Sequence, residues 1–350
     1  MKNYQPLRIG DAISFLIDKK ALITGLFLLC LTIITFIVST GIGELYISPL
    51  NVLKTLFGNG SDMESLVVHS FRLPRIITAL LAGMCLAVAG AILQGIVRNP
   101  LASPDILGVT GGASLAVVLF FAIFSNDNNS LTISIHWLPL GAFFGAALSV
   151  LIVYLLAWKN GIAPMRLVLV GIGVAALMQA GTTLFMILGP IYRASQANIW
   201  ITGSVYGATW KNVAILAPWA LLLIFCSFIA ARNLNIQELG EEIALGAGAS
   251  LQKQRILLLL LSTALTGGAV AFAGGIGFVG LMAPHLARKL VGSSFGALLP
   301  VAALLGSILV MIADLLGRTL FAPLEIPAGV FTAAIGAPYF IYLLYKSRNS

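Results

Sequence analysis

The sequence predicts an all-α, polytopic membrane protein with about ten transmembrane helices, and three observations predict it. Of 350 residues, 59% are hydrophobic and 9% are charged, against roughly 25% charged in water-soluble domains. Apolar runs close to the roughly 20 residues that a spanning helix needs recur along the whole chain. The basic residues fall unevenly between the two sets of connecting segments, as they do across a membrane.

The candidate spans are Ala21–Thr40, Ile76–Ile96, Ile106–Phe124, Trp137–Trp158, Leu167–Leu188, Val213–Ala231, Ile256–Phe272, Ile276–Leu286, Ala297–Leu316 and Ala328–Tyr345. The flank before the first is basic, and no small-residue cleavage site clearly follows it, so it reads as an uncleaved anchor. The eighth is too short to span alone. Either Gly274–Gly277 breaks one long segment in two, or it makes a re-entrant turn. Cys30, Cys85 and Cys226 lie inside spans as small apolar residues, with no disulfide or metal spacing.

A net charge of +8 could suggest nucleic acid, but its placement argues for membrane lipid and against nucleic acid. With a cytoplasmic start, 14 of the 20 Lys and Arg fall on the cytoplasmic side, among them Arg98, Lys159, Arg232, Lys253, Arg255, Arg288 and Lys289. Lys54, Arg72, Arg75, Arg193, Lys211 and Arg318 fall outside. This bias places both termini in the cytoplasm.

The connecting segments are short, so residues 1–350 form one transmembrane domain: a first span (21–40), a first repeat half (76–188), a sixth span (213–231), a cytoplasmic loop (232–255) and a second repeat half (256–345). The repeat is weak. Leu81–Ala102 matches Leu265–Leu286 at seven of 22 positions, including Gly83/Gly267, Gly90/Gly274 and Pro100/Pro284. Five spans separate the copies, which makes the repeat an inverted one, an arrangement used by transporters.

No catalytic, metal or cofactor site is visible: there is no phosphate-binding loop, HExxH or GxSxG, and His69, His136 and His285 stand without partners at ligand spacing. Any ATP-driven process therefore needs another polypeptide. An autonomous, ion-coupled transporter would need ionisable groups deep in the bundle. Asp314 is the one acid inside a span, near its outer end, and Arg318 four residues on is placed to pair with it.

Three motifs occur in order: Arg72-Leu-Pro-Arg75; Asn99-Pro100-Leu101-Ala102-Ser103-Pro104; and Gly277-Phe278-Val279-Gly280-Leu281 with Ala283-Pro284-His285-Leu286-Ala287-Arg288. Together they resemble the iron-siderophore and cobalamin permease family of ABC importers, over nearly the whole chain. The resemblance implies a type II importer permease fold in the bacterial cytoplasmic membrane. It also implies a second permease subunit, identical or paralogous, two ATP-binding ABC subunits, and an external substrate-binding protein that delivers an iron(III)-siderophore. Cobalamin or haem is the alternative cargo.

Four sets of residues follow from the resemblance. Arg72, Arg75 and Arg318 are expected to dock acidic residues of the binding protein, as guanidinium suits carboxylate; the bland alternative is snorkelling to lipid headgroups. The segment Gln237–Ala247, with Glu238, Leu239, Gly240, Glu241, Ile243, Leu245 and Gly246, is expected to seat in the ATPase, with Leu239, Ile243 and Leu245 as its apolar face; the alternative is a solvated acidic loop. Asn99 and Leu101, with the turn at Gly161–Met165, are expected to form a cytoplasmic gate; a Pro-rigid turn with Asn bonding its own backbone is compatible with that. Gly171, Gly173, Gln179, Thr182 and Thr183 are expected to line the pathway, or else to be ordinary small residues of helix packing.

Overall fold

The computed structural model describes residues 4–9, 13–126, 130–159, 161, 163–189, 191–246, 248 and 250–347. All ten apolar runs become helices. They are α1 (Lys19–Gly41), α4 (Leu73–Val97), α5 (Val109–Phe124), α6 (Leu138–Ala157), α7 (Pro164–Leu188), α9 (Trp210–Glu238), α11 (Leu251–Ala273), α12 (Val279–Val291), α13 (Phe295–Thr319) and α14 (Ala328–Ser347). Shorter helices α2 (Pro49–Leu56), α3 (Asp62–Ser65), α8 (Ile191–Thr202) and α10 (Glu241–Gly246) lie in the connections. Among the described residues, eight helical segments are long and apolar enough to cross a membrane, and α5 is a shorter apolar helix. Among the described residues the extended structure is an antiparallel hairpin, β1 (Tyr4–Ile9) with β2 (Ile13–Asp18), which the sequence did not lead us to expect, and an isolated bridge between Ser125 and Leu131.

The core is built around α4. Of its 25 residues 20 are buried, against six of 23 in α1 and five of 25 in α7. Its apolar residues run all round rather than along one stripe, which is the pattern of a helix enclosed by others. Small residues let the neighbours close in: a methyl group on Gly90 would overlap the carbonyl of Gly280, so the start of α12 lies directly on α4. The Ser262 hydroxyl on α11 donates to the Ala89 carbonyl at 3.0 Å, and Gln94 Nε2 donates to the Leu281 carbonyl at 3.3 Å.

The eighth run is a helix of its own, parted from the seventh by a short non-helical link. α11 stops at Ala273, Gly274 follows with φ +67°, and α12 begins after Phe278, itself at φ +66°. The two segments aligned as a repeat therefore differ in form: Gly90 lies mid-helix, whereas Gly274 ends one. The sixth run also outgrows its expectation. The loop assigned to 232–255 is helical up to Glu238, because Leu234 and Gln237 carry the buried stripe of Ala230 and Ala231 two turns further.

Candidate functional site

The two ends of the bundle carry different chemistry. At one end α1 finishes at Gly41 with no basic residue in its last turn. The last carbonyls of a helix have no internal partner and carry the negative end of its dipole. Two arginines from elsewhere supply both needs. Arg72 Nη1 donates to the carbonyls of Thr40 at 2.8 Å and Gly41 at 3.0 Å, and its Nη2 donates to Leu45. Arg318 Nη1 donates to the Ile42 carbonyl at 2.7 Å, and its Nη2 to that of Ser39. Between them, Arg75 Nε bonds both oxygens of Asp314 at 2.9 and 3.1 Å, and its Nη1 bonds Glu325 at 2.9 Å. Arg75 also lies 5.6 Å from the centre of the Tyr206 ring.

Arg72, Arg75 and Arg318, the three expected docking arginines, thus all have partners within the chain. Arg72 is buried, and the Arg318 side chain is 7% exposed. Arg75 is 13% exposed, and of its two carboxylate partners Glu325 is the accessible one, at 38%. The expected Asp314–Arg318 pair is present at 3.7 Å, but the shorter contact of Asp314 is to Arg75 at 2.9 Å. Sequence reasoning missed Glu325 altogether. An acid in an apolar turn is a visible signal, but its partner lies 250 residues away.

The other end is built on ion pairs that leave apolar side chains outside. Gly240 turns the chain at φ +120° between α9 and α10. Glu241 pairs with buried Arg255 and lies 3.9 Å from Arg98, and Glu238 pairs with Arg288. Arg255's hydrogen bond, more than any other influence, holds the Glu241 carboxyl below its ordinary pKa of 4.5. Ala244 is the buried contact of α10. Leu239, Ile243 and Leu245 are 64%, 59% and 60% exposed, on a surface that no described residue covers. Gly246 ends α10, and Ala247 lies outside the described residues.

Asn99 and Leu101 lie at the same end, after α4 stops at Arg98 in a left-handed conformation. Asn99 Oδ1 accepts from the Leu101 amide at 2.9 Å, so the turn is braced by its own asparagine. The expected partner turn at Gly161–Met165 is described only in part, Ile162 falling outside the described residues. The five pathway candidates on α7 do not share a face. Gly171 and Thr182 are buried, with Thr182 Oγ1 donating to the Met178 carbonyl at 2.8 Å. Gly173, Gln179 and Thr183 are exposed, along with Ala176 and Ala180, on a stripe of small and weakly polar side chains.

Residues 31–346 match the FecCD transport family. The chain belongs to that family. It is 64% identical to the protein named "Probable siderophore transport system permease protein YfhA" of Bacillus subtilis, over 95% of this chain and 97% of that one. It is 46% identical to the achromobactin transport system permease protein CbrC of Dickeya dadantii, over 92% and 90%. Among solved structures it resembles a metal-chelate type ABC transporter in an inward-facing conformation, with a TM-score of 0.80 and 30% identity over 93% of this chain and 99% of that one. PsaBC of Streptococcus pneumoniae shares the fold, with a TM-score of 0.56 at 17% identity over 80% and 93%. As a member of this family the chain is a multi-pass membrane permease, and its sequence carries no phosphate-binding loop for ATP.

Proposed function

We propose that this FecCD permease carries an iron(III)-siderophore inward, powered by separate ABC ATPase subunits and supplied by an external binding protein. The 64% identity to a permease named for siderophore transport, across nearly both full lengths, carries the cargo reading. Relatives named for iron(3+)-hydroxamate and iron(3+)-citrate import support the same cargo class at 44% identity.

Each end of the bundle then has a part. The uncovered triad of Leu239, Ile243 and Leu245 around α10 is the surface for the ATPase, and Glu238 and Glu241 hold it in place through Arg288 and Arg255. The Arg72 end faces outward, with both termini on the cytoplasmic side. There Arg72 and Arg318 brace α1, and Arg75 is the arginine placed to meet a carboxylate of the binding protein, in exchange for Glu325. The Gly173, Gln179 and Thr183 stripe on α7 faces the second permease subunit across the pathway, and Asn99 and Leu101 stiffen the turn that closes its cytoplasmic mouth. Ion coupling is disfavoured because Asp314, the acid inside a span, is held by Arg75 and Arg318.

Reconstitution in liposomes with candidate ATPases and binding proteins tests the reading. Uptake of labelled iron-siderophore that requires ATP and both partners is expected. ATP-dependent uptake of cobalamin or haem instead would change the cargo, and uptake that follows an ion gradient without ATP would reject the importer reading.

A further inference from the structure

α11 presents an exposed apolar ridge, with Leu257 and Leu260, between α6 and α9. A groove of about 310 Å³ lies on its α6 side, lined by Ala147, Leu151, Tyr154, Ile256 and Thr263 among others. A second, of about 460 Å³, lies on its α9 side, with Cys226, Ile229, Ala230, Asn233 and Leu257 in its lining. Leu260 and Ala264 line both grooves, so α11 is the wall between them. Both grooves extend toward the Glu241 end: Tyr154 lies in the last turn of α6, Ile256 and Leu257 lie in the second turn of α11, and Asn233 lies near the end of α9.

Three cations stand where the apolar walls stop. Lys253 is exposed and lies four residues before Leu257, on the same face of α11. Lys159 is exposed just past the end of α6, and Arg232 is exposed beside Asn233 on α9. Among the described residues, no carboxylate lies within ion-pair distance of any of the three, whereas Arg98, Arg255 and Arg288 at the same end are all paired. Trp158, packed at 5.5 Å on Tyr154, is exposed at the same level, where aromatic rings settle at a membrane interface.

Two apolar grooves that share one wall and one cationic mouth match two acyl chains joined at one phosphate. We propose that this surface binds one diacyl anionic phospholipid of the leaflet at the Glu241 end, its chains straddling α11 and its phosphate at Lys253 between Lys159 and Arg232. Basic sites between membrane helices take anionic headgroups in this way. A zwitterionic lipid fills the same grooves but brings its own ammonium to the three cations. The inference rests on the membrane-spanning placement of the family and not on the cargo.

The test is native mass spectrometry of the full chain in neutral detergent, titrated with dioleoyl phosphatidylglycerol, dioleoyl phosphatidylcholine or the single-chain lysophosphatidylglycerol. One tightly held phosphatidylglycerol is expected, with at least about tenfold preference over each of the other two, since three uncompensated cations and a second groove separate them. Lys253→Gln weakens that binding about fivefold, Lys253→Arg restores it, and the triple change Lys159→Gln, Arg232→Gln and Lys253→Gln abolishes the preference over phosphatidylcholine. Lys54→Gln and Lys211→Gln, at the opposite end, leave it unchanged. Equal binding of phosphatidylglycerol and phosphatidylcholine by the unaltered chain overturns the proposal, and this arm needs no variant to fold. A preference that survives the triple change, or that falls equally with Lys54→Gln and Lys211→Gln, also overturns it by showing diffuse charge attraction. Lysophosphatidylglycerol held as tightly as the diacyl lipid removes the two-groove fit.

Discussion

The Arg72 end and the Glu241 end both rely on arginine and carboxylate, yet they use them in opposite ways. At the Arg72 end the charges are turned inward. Guanidiniums bond the orphan carbonyls of α1 and the buried Asp314, and little polar capacity is left for a partner outside Arg75 and Glu325. At the Glu241 end the ion pairs lie beneath a surface whose apolar side chains stay in the open. The difference teaches that a basic motif at a membrane boundary can spend its guanidiniums on internal acceptors, while a small helix at the other end leaves its apolar side chains in the open among the described residues.

Asp314→Ala should break the comparison most severely. It leaves Arg75 and Arg318 without their shared buried partner, and breaking such a pair costs about 3–5 kcal/mol. Thermal unfolding in detergent should show a large fall in Tm or no recoverable folded protein; a variant as stable as the parent would mean that the Arg72 end is not scaffolding. Arg72→Gln comes next. It strips charge-assisted bonds from the carbonyls of Thr40, Gly41 and Leu45, and should cost about 2–3 kcal/mol. Loss of binding-protein association by this variant should therefore track loss of stability, and a well-folded Arg72→Gln that fails only in association would restore a docking role.

Leu239→Asp with Ile243→Asp should change stability by no more than about 0.5 kcal/mol, since both side chains are already exposed. Association with the ATPase should be lost nonetheless, because a desolvated charge would replace an apolar contact. Co-purification at wild-type yield would remove α10 as the main contact. Glu325→Gln is expected to be milder for the fold than Asp314→Ala, within about 1 kcal/mol, as befits a partly exposed pair. The smallest effect concerns pH. Because the pKa of Glu241 is depressed below 4.5 in the folded state, its stabilising contribution is complete above that value and fades as pH falls through the lower folded pKa. Hydrogen exchange of the α10 amides, corrected for intrinsic rate, should be flat across neutral pH and rise only in that acid window. A transition near pH 7 would place another group in control of α10.

Much of the architecture was legible because long apolar runs have one solution in a membrane: a helix that satisfies its own backbone. All ten runs and the Asp314–Arg318 pair could be read from local pattern. The family motifs pointed to the same permease fold that the family match shows. The helical extension to Glu238 escaped because its polar residues look like loop until Leu234 and Gln237 are seen on a buried stripe. The intrachain partners of the arginines escaped for a different reason. Arg72, Arg75 and Arg318 lie in plain view in the sequence, but their partners are backbone carbonyls at Ser39–Ile42 and carboxylates hundreds of residues away.

Composition, charge bias and motif order by themselves determined that this chain crosses a membrane many times and belongs among importer permeases. Hydrophobic burial and positive-inside bias act residue by residue, and a one-dimensional string records them. Which acceptors within the chain each arginine bonds was decided only by the tertiary structure. A guanidinium bonds whatever acceptor the fold brings within about 3 Å, and the sequence does not specify that distance.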